Sequence, residues 1–129
     1  MISIHDNEVR SYTVDLMNHT IRLDTIWAWQ DQKEHTLIAF RGVFTHYLVG
    51  AVYQNVLFSI DEKSLEAFFL DNGALLAEWK NTTCWPWEYQ DTEDMLRRLR
   101  QEQLRYFRLD AAIGLEGWVL AQEMEFIAL

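Results

Sequence analysis

Apolar and polar residues alternate with a period of two near the start of the chain. Tyr12, Val14 and Leu16 alternate with Thr13, Asp15 and Met17, and Ile21, Leu23 and Thr25 resume the alternation after Asn18-His19. This is the pattern of half-buried strands, and it predicts a hairpin that turns at Asn18-His19. In that register Leu16 opposes Ile21 and Val14 opposes Leu23. Asp15 meets Arg22 on the other face, a cross-strand charge pair worth about 0.2–1 kcal/mol. Residues 36–44, Thr-Leu-Ile-Ala-Phe-Arg-Gly-Val-Phe, are rich in strand formers with apolar side chains on both faces. That composition predicts a central strand covered on both sides, with Gly42 marking a bulge. A further strand is expected over residues 55–60, and the aromatic stretch 45–54 between them is either another strand or a wide connection.

After Asp61 the spacing becomes helical. Leu65, Phe68, Phe69, Leu76 and Trp79 fall on one stripe at about 100° per residue, with Asp61 or Ser64 as the cap and Asn72-Gly73 as the interruption. Residues 82–90 read as a loop, because Pro86 removes a backbone donor and restrains Trp85. A second helix begins near Asp91 or Thr92, where a capping side chain precedes the acidic first-turn residues Glu93 and Asp94. Met95, Leu96, Leu99, Tyr106 and Phe107 supply its buried stripe. Trp118, Leu120, Met124 and Phe126 then alternate with Val119, Ala121, Glu123, Glu125 and Ile127 as a last strand, entered through Gly114 and Gly117. Strands at both ends with helices between them give an α+β class. The expected architecture is an antiparallel or mixed sheet of about five to six strands, with two helices inserted before the last strands. No linker or repeat divides residues 1–129, so one domain is expected.

Charge narrows the partners. Twenty acidic against eleven basic residues give a formal charge of −9, which disfavours nucleic acid and anionic membrane surfaces as direct partners. The bases are concentrated. Residues 97–108 hold five arginines and one Glu, and on a helical wheel Arg97, Arg98, Arg105 and Arg108 share one face. Such a face is commonly solvated and paired with carboxylates. The single cysteine, Cys84, closes no intramolecular disulfide and points to a reducing cytosol. The N-terminus reads as lacking a signal peptide, and no apolar run has the length of a membrane span.

Catalytic signatures are not evident. The four histidines, His5, His19, His35 and His46, include no pair at helical metal-site spacing. Cys84 has Thr83 and Trp85 as neighbours, with nothing adjacent in sequence to activate a thiol. There is no nucleophile-elbow, phosphate-loop or zincin motif. Neither catalytic residues, a metal nor a cofactor is expected, and an enzyme is disfavoured.

Aromatic residues carry the remaining signal. Of six tryptophans, Trp27/Trp29 and Trp85/Trp87 each form W-x-W. On a strand the first pair would share a face as a stacking platform. The second pair lies in a loop followed by acids, so Trp85, Trp87, Glu88, Asp91, Glu93 and Asp94 form the candidate partner-binding surface: aromatic anchors surrounded by negative charge. In size, acidity and sheet-plus-helix layout the chain resembles small bacterial toxin-immunity proteins, including those of contact-dependent growth inhibition. The resemblance rests on type rather than on a motif and transfers no residue by position. It implies a cytoplasmic inhibitor that occludes the cleft of a basic protein toxin, such as a nuclease. The other function classes compatible with the sequence are a small-ligand or sugar-binding module on the Trp27/Trp29 platform and a structural subunit of a larger assembly.

Overall fold

The computed structural model describes residues 3–80 and 85–129. The strands are β1 (Glu8–Asp15), β2 (Thr20–Trp29), β3 (Gln32–Arg41), β4 (Thr45–Val49), β5 (Val56–Lys63), β6 (Arg105–Ile113), β7 (Glu116–Ala121) and β8 (Glu123–Ala128). Helices α1 (Leu65–Lys80) and α2 (Thr92–Gln101) lie between β5 and β6. The class is α+β, with one antiparallel sheet of eight strands in the order β4-β7-β6-β5-β1-β2-β3-β8.

The end strands continue their neighbours in sequence. After β3 the chain bends at Gly42, whose φ of +62° is left-handed, and runs on as β4. Residue Gln122 likewise separates β7 from β8, and its N–H reaches the carbonyls of Arg41 and Gly42 at 3.0 and 3.2 Å. The sheet therefore folds over on itself. Leu23, Ile38 and Phe40 from one half pack with Leu57, Leu109 and Val119 from the other in the main core. The reverse face of β6 and β7 presents Tyr106, Trp118 and Leu120 to the helices, where Phe68, Leu76, Met95 and Leu99 complete a second core. Alternation along β6 and β7 thus serves two cores at once. Gly117 lies where β7 meets β4, and a Cβ there would overlap the carbonyl oxygen of Tyr47.

Five to six strands is therefore an undercount, for local reasons. The stretch 45–54 holds both a strand and a connection. The alternating run 118–127 is two strands broken at Gln122. Strand β6 was concealed because Leu99, Tyr106 and Phe107 are spaced as a helical stripe, whereas α2 ends at Gln101 and Gln103 adopts φ +58°. Tyr106 and Phe107 are both buried, on opposite faces of a strand covered on both sides, where no alternation is visible. Arg105 and Arg108 accordingly lie on β6, not on a helix face with Arg97 and Arg98.

The first hairpin keeps its expected faces but not its register. Val14 pairs with Ile21, Thr13 with Arg22 and Asp15 with Thr20, a slip of two residues from the expected pairing, so Asp15 does not oppose Arg22. The turn is the four residues 16–19. Asp15 anchors it by accepting from the N–H and Nδ2 of Asn18 at 3.2 and 2.7 Å, which holds its carboxyl below the usual range. An even slip preserves which face is buried: Leu23 is fully buried and Val14 packs against the core, while Leu16 is exposed.

Helix α1 is capped by Ser64, whose Oγ accepts from the N–H of Ala67 at 3.2 Å; Asp61 lies inside β5. Asn72 kinks the helix rather than ending it (φ −122°, ψ 17°). Its Nδ2 donates to the carbonyl of Phe68 at 2.9 Å. Beside the kink, Tyr106 donates to Asp71 Oδ2 at 2.8 Å, and Lys63 bonds the same oxygen at 2.6 Å. Lys63 holds the Asp71 carboxyl low, while burial and then the Asp71 carboxylate push the Tyr106 hydroxyl up to about 12.

Candidate functional site

The segment that joins α1 to α2 carries the aromatic and acidic residues singled out from the sequence. Cys84 lies outside the described residues. From Trp85 onward the chain crosses the aromatic side of the second core. The Trp85 ring stands 5.4 Å from Trp79, 5.8 Å from Trp118 and 6.2 Å from Tyr47, centroid to centroid. Trp87 meets Phe44 edge to face at 4.6 Å and has Tyr89 at 6.3 Å. Both tryptophans are half-buried. Each is seated on the core by one side and open on the other, the posture of an anchor whose position is fixed before a partner arrives.

Cations support the arrangement from behind. The Arg98 guanidinium lies 5.7 Å from the Phe44 ring centre, and the Lys80 ammonium lies 4.5 Å from that of Tyr89. Lys80 also donates to the carbonyl of Gln90 at 3.0 Å. Burial pushes the Tyr89 hydroxyl up from its ordinary value.

The four carboxylates divide into two kinds. Asp91 is the N-cap of α2: its backbone is extended (φ −150°, ψ 179°) and its Oδ1 accepts from the N–H of Asp94 at 2.8 Å. Asp94 Oδ2 accepts in turn from the N–H of Gln90 at 3.0 Å, and its Oδ1 lies 3.6 Å from Arg97. These two acids close the helix end reciprocally, in the manner of a capping box. Glu88 and Glu93 are exposed, and neither has a side-chain hydrogen bond or ion pair among the described residues. Glu93 lines a groove between the helices with Glu66, Leu96, Arg97, Arg100 and Gln101. The structure thus gathers Trp85 and Trp87 on one aromatic bed, with Asp91 and Asp94 at the adjacent helix start, and leaves Glu88 and Glu93 as the unengaged charges.

This division has a measurable consequence. Asp91→Ala is expected to lower stability by about 1 kcal/mol, within the 0.5–2 kcal/mol range of N-cap losses. Asp91→Asn, which keeps the acceptor oxygen, should cost much less. Urea unfolding of the two variants checks this, and equal losses would remove the capping role.

The arginine-rich stretch is paired throughout. Arg98 lies 3.2 Å from Glu102, Arg105 2.6 Å from Glu62 and Arg108 3.2 Å from Asp110, and Arg100 bonds Glu66. Each is a surface pair worth little in stability, but together they neutralise the positive segment within the molecule. Among the described residues no group of three or more His, Cys, Asp or Glu side chains converges as a metal site would require, and no helix is long and apolar enough to cross a membrane.

One exposed surface was not anticipated. Asn55 Oδ1 accepts from the N–H groups of Val52 and Leu115, both at 3.0 Å, and its Nδ2 donates to the carbonyl of Val52 at 2.9 Å. The loop so fixed presents Tyr53 fully to solvent, with Val52, Ile113 and Phe58 also exposed. Asn55 reaches back three residues to Val52 and across to Leu115, contacts that no local sequence pattern marks.

The chain matches no protein-family model, no curated protein and no solved structure.

Proposed function

We propose that the protein is a cytoplasmic, protein-binding inhibitor of a cationic partner, acting as an immunity protein does when it covers the active-site cleft of a basic toxin. The observation that carries this reading is the internal pairing of the arginines on α2 and β6. With those cations neutralised at home, the field that a partner meets is set by the acid excess behind the net charge of −9. Opposite charge steers a basic protein towards such a surface and repels polyanions. At the α1–α2 junction the unengaged carboxylate of Glu88 follows Trp87 in sequence and that of Glu93 stands on the first turn of α2, so the segment supplies both charge for encounter and aromatic area for retention.

Affinity capture from the native host, followed by elution in a salt gradient, tests the reading. The retained protein should be basic and elute early in the gradient, and its expression should harm cells unless this chain is co-expressed. Retained proteins that are neutral or acidic, or a basic one whose effect on cells is unchanged by co-expression, would overturn it.

A second reading, a small-ligand module, is favoured by one observation. Trp27 and Trp29 lie on the same face of β2, the first half-buried and the second 64% exposed.

A further inference from the structure

The N-terminal segment crosses the far end of the β2–β3 hairpin and borders an open cavity of about 300 Å³ lined by Ser3, His5, Asp6, Asn7, Trp27 and Glu34. Trp27 and Glu34 are direct cross-strand partners, so the indole and the carboxylate project from the same face of the sheet. Glu34 is exposed and has no side-chain hydrogen bond or ion pair among the described residues. Among the described residues the Asp6 carboxylate pairs with the imidazole of His5 alone, Nδ1 to Oδ2 at 3.1 Å.

Asn7 adds an independent observation. The residue is 1% exposed, and its Nδ2 donates to Thr25 Oγ1 at 3.0 Å. Thr25 Oγ1 in turn donates to the carbonyl of Thr36 at 2.7 Å. A hydroxyl has one proton, and here it is directed at Thr36, so Thr25 can only accept from Asn7. That fixes the orientation of the carboxamide and leaves Asn7 Oδ1 as a buried acceptor with no partner among the described residues, an arrangement that native structures seldom tolerate without a reason.

The lining is therefore acceptor-rich: two carboxylates beside an indole, together with Asn7, whose unsatisfied amide oxygen is buried. Among the described residues of the lining, His5 alone has a side chain able to carry positive charge. A complementary group must bring several N–H donors, a positive charge and a flat surface that can stack. A guanidinium has all three, whereas an ammonium lacks the plane. We infer that this cavity receives an arginine side chain of the cationic partner, an inference that rests on the function proposed above. Trp29, on the same face two residues on, extends the aromatic surface towards the chain that bears the arginine.

Titration with N-acetyl-arginine-N-methylamide, followed by the indole N–H resonances of the full chain, tests the site without the partner. The Trp27 signal should move and saturate with this probe and stay in place with the citrulline counterpart, which has the same shape and no charge. Glu34→Gln, at an exposed position that leaves the fold intact, should weaken the probe by roughly tenfold, the scale of a lost charge-assisted hydrogen bond. An equal response to citrulline, undiminished binding by the Glu34→Gln variant, movement confined to Trp85 and Trp87, or saturation of the Trp27 signal by methyl glucoside would each overturn the inference. The captured partner separates this site from the broader function. If it binds wild type and Glu34→Gln alike, the arginine site is wrong while the inhibitor reading stands. If the probe binds as expected but the captured proteins are not basic, the site stands and the inhibitor reading fails.

Discussion

Trp118→Ala is expected to cost about 3–5 kcal/mol of unfolding free energy, the range for removing a large buried aromatic. Trp118 is fully buried. Its ring meets Phe68 edge to face at 4.8 Å and stacks on Tyr47 at 6.2 Å. It ties β7 to both α1 and β4, so its loss opens a cavity between sheet and helices that neighbouring rings cannot refill. Trp118→Phe should cost markedly less, for a reason specific to this site. The indole Nε1 is buried with no hydrogen-bond partner among the described residues, so phenylalanine removes an unsatisfied donor along with the lost volume. Urea unfolding of both variants gives the comparison. Equal losses would contradict this packing role of the Trp118 ring.

The second large effect concerns the partner. Trp87→Ala should weaken binding of the cationic protein by about 2 kcal/mol or more, roughly thirtyfold, with most of the change in the dissociation rate. Because Trp87 packs on Phe44, truncation also lowers stability, and the two effects need separating. Trp87→Phe retains an aromatic edge for Phe44 while presenting less surface outward. It should recover most of the melting temperature and only part of the affinity. If the phenylalanine variant recovers both fully, the packing of Trp87 inside the molecule accounts for the whole effect, and the residue is not an anchor.

Much of this was legible in the sequence where a single physical cause dominated. The α2 start was readable because Asp91, Glu93 and Asp94 have a local role at a helix N-terminus that does not depend on the rest of the fold. The faces of β1 and β2 were readable from alternation. Their register was not, because it depends on the Asp15–Asn18 hydrogen bonds that make a four-residue turn in place of a two-residue one. β6 was hidden by a coincidence of spacing. Leu99, Tyr106 and Phe107 satisfy a helical stripe, and a strand lying between two cores has no polar face to betray it.

The candidate site was legible in composition but not in division of labour. The sequence grouped four carboxylates into one partner-binding surface, whereas the side chains of Asp91 and Asp94 bond the helix end and those of Glu88 and Glu93 do not. Only the folded positions of Gln90 and Asp94 distinguish them. The cavity at Trp27 required still more. It needs Glu34 brought across the hairpin and the N-terminal segment laid over both, contacts that no local pattern encodes.

The central claim, that an acidic surface beside the α1–α2 junction steers a cationic partner, is tested most directly by the association rate of the captured partner with the Glu88→Gln/Glu93→Gln double variant across a salt series. These two side chains make no hydrogen bond or ion pair among the described residues, so the melting temperature should fall only slightly, through loss of the charge that Glu93 brings to the first turn of α2, a contribution of about 0.3–1 kcal/mol. The account predicts slower association at low salt, by several-fold, and a flatter dependence on ionic strength, since surface charges govern the approach. An association rate and salt slope equal to those of the wild type, with the fold intact, would contradict it.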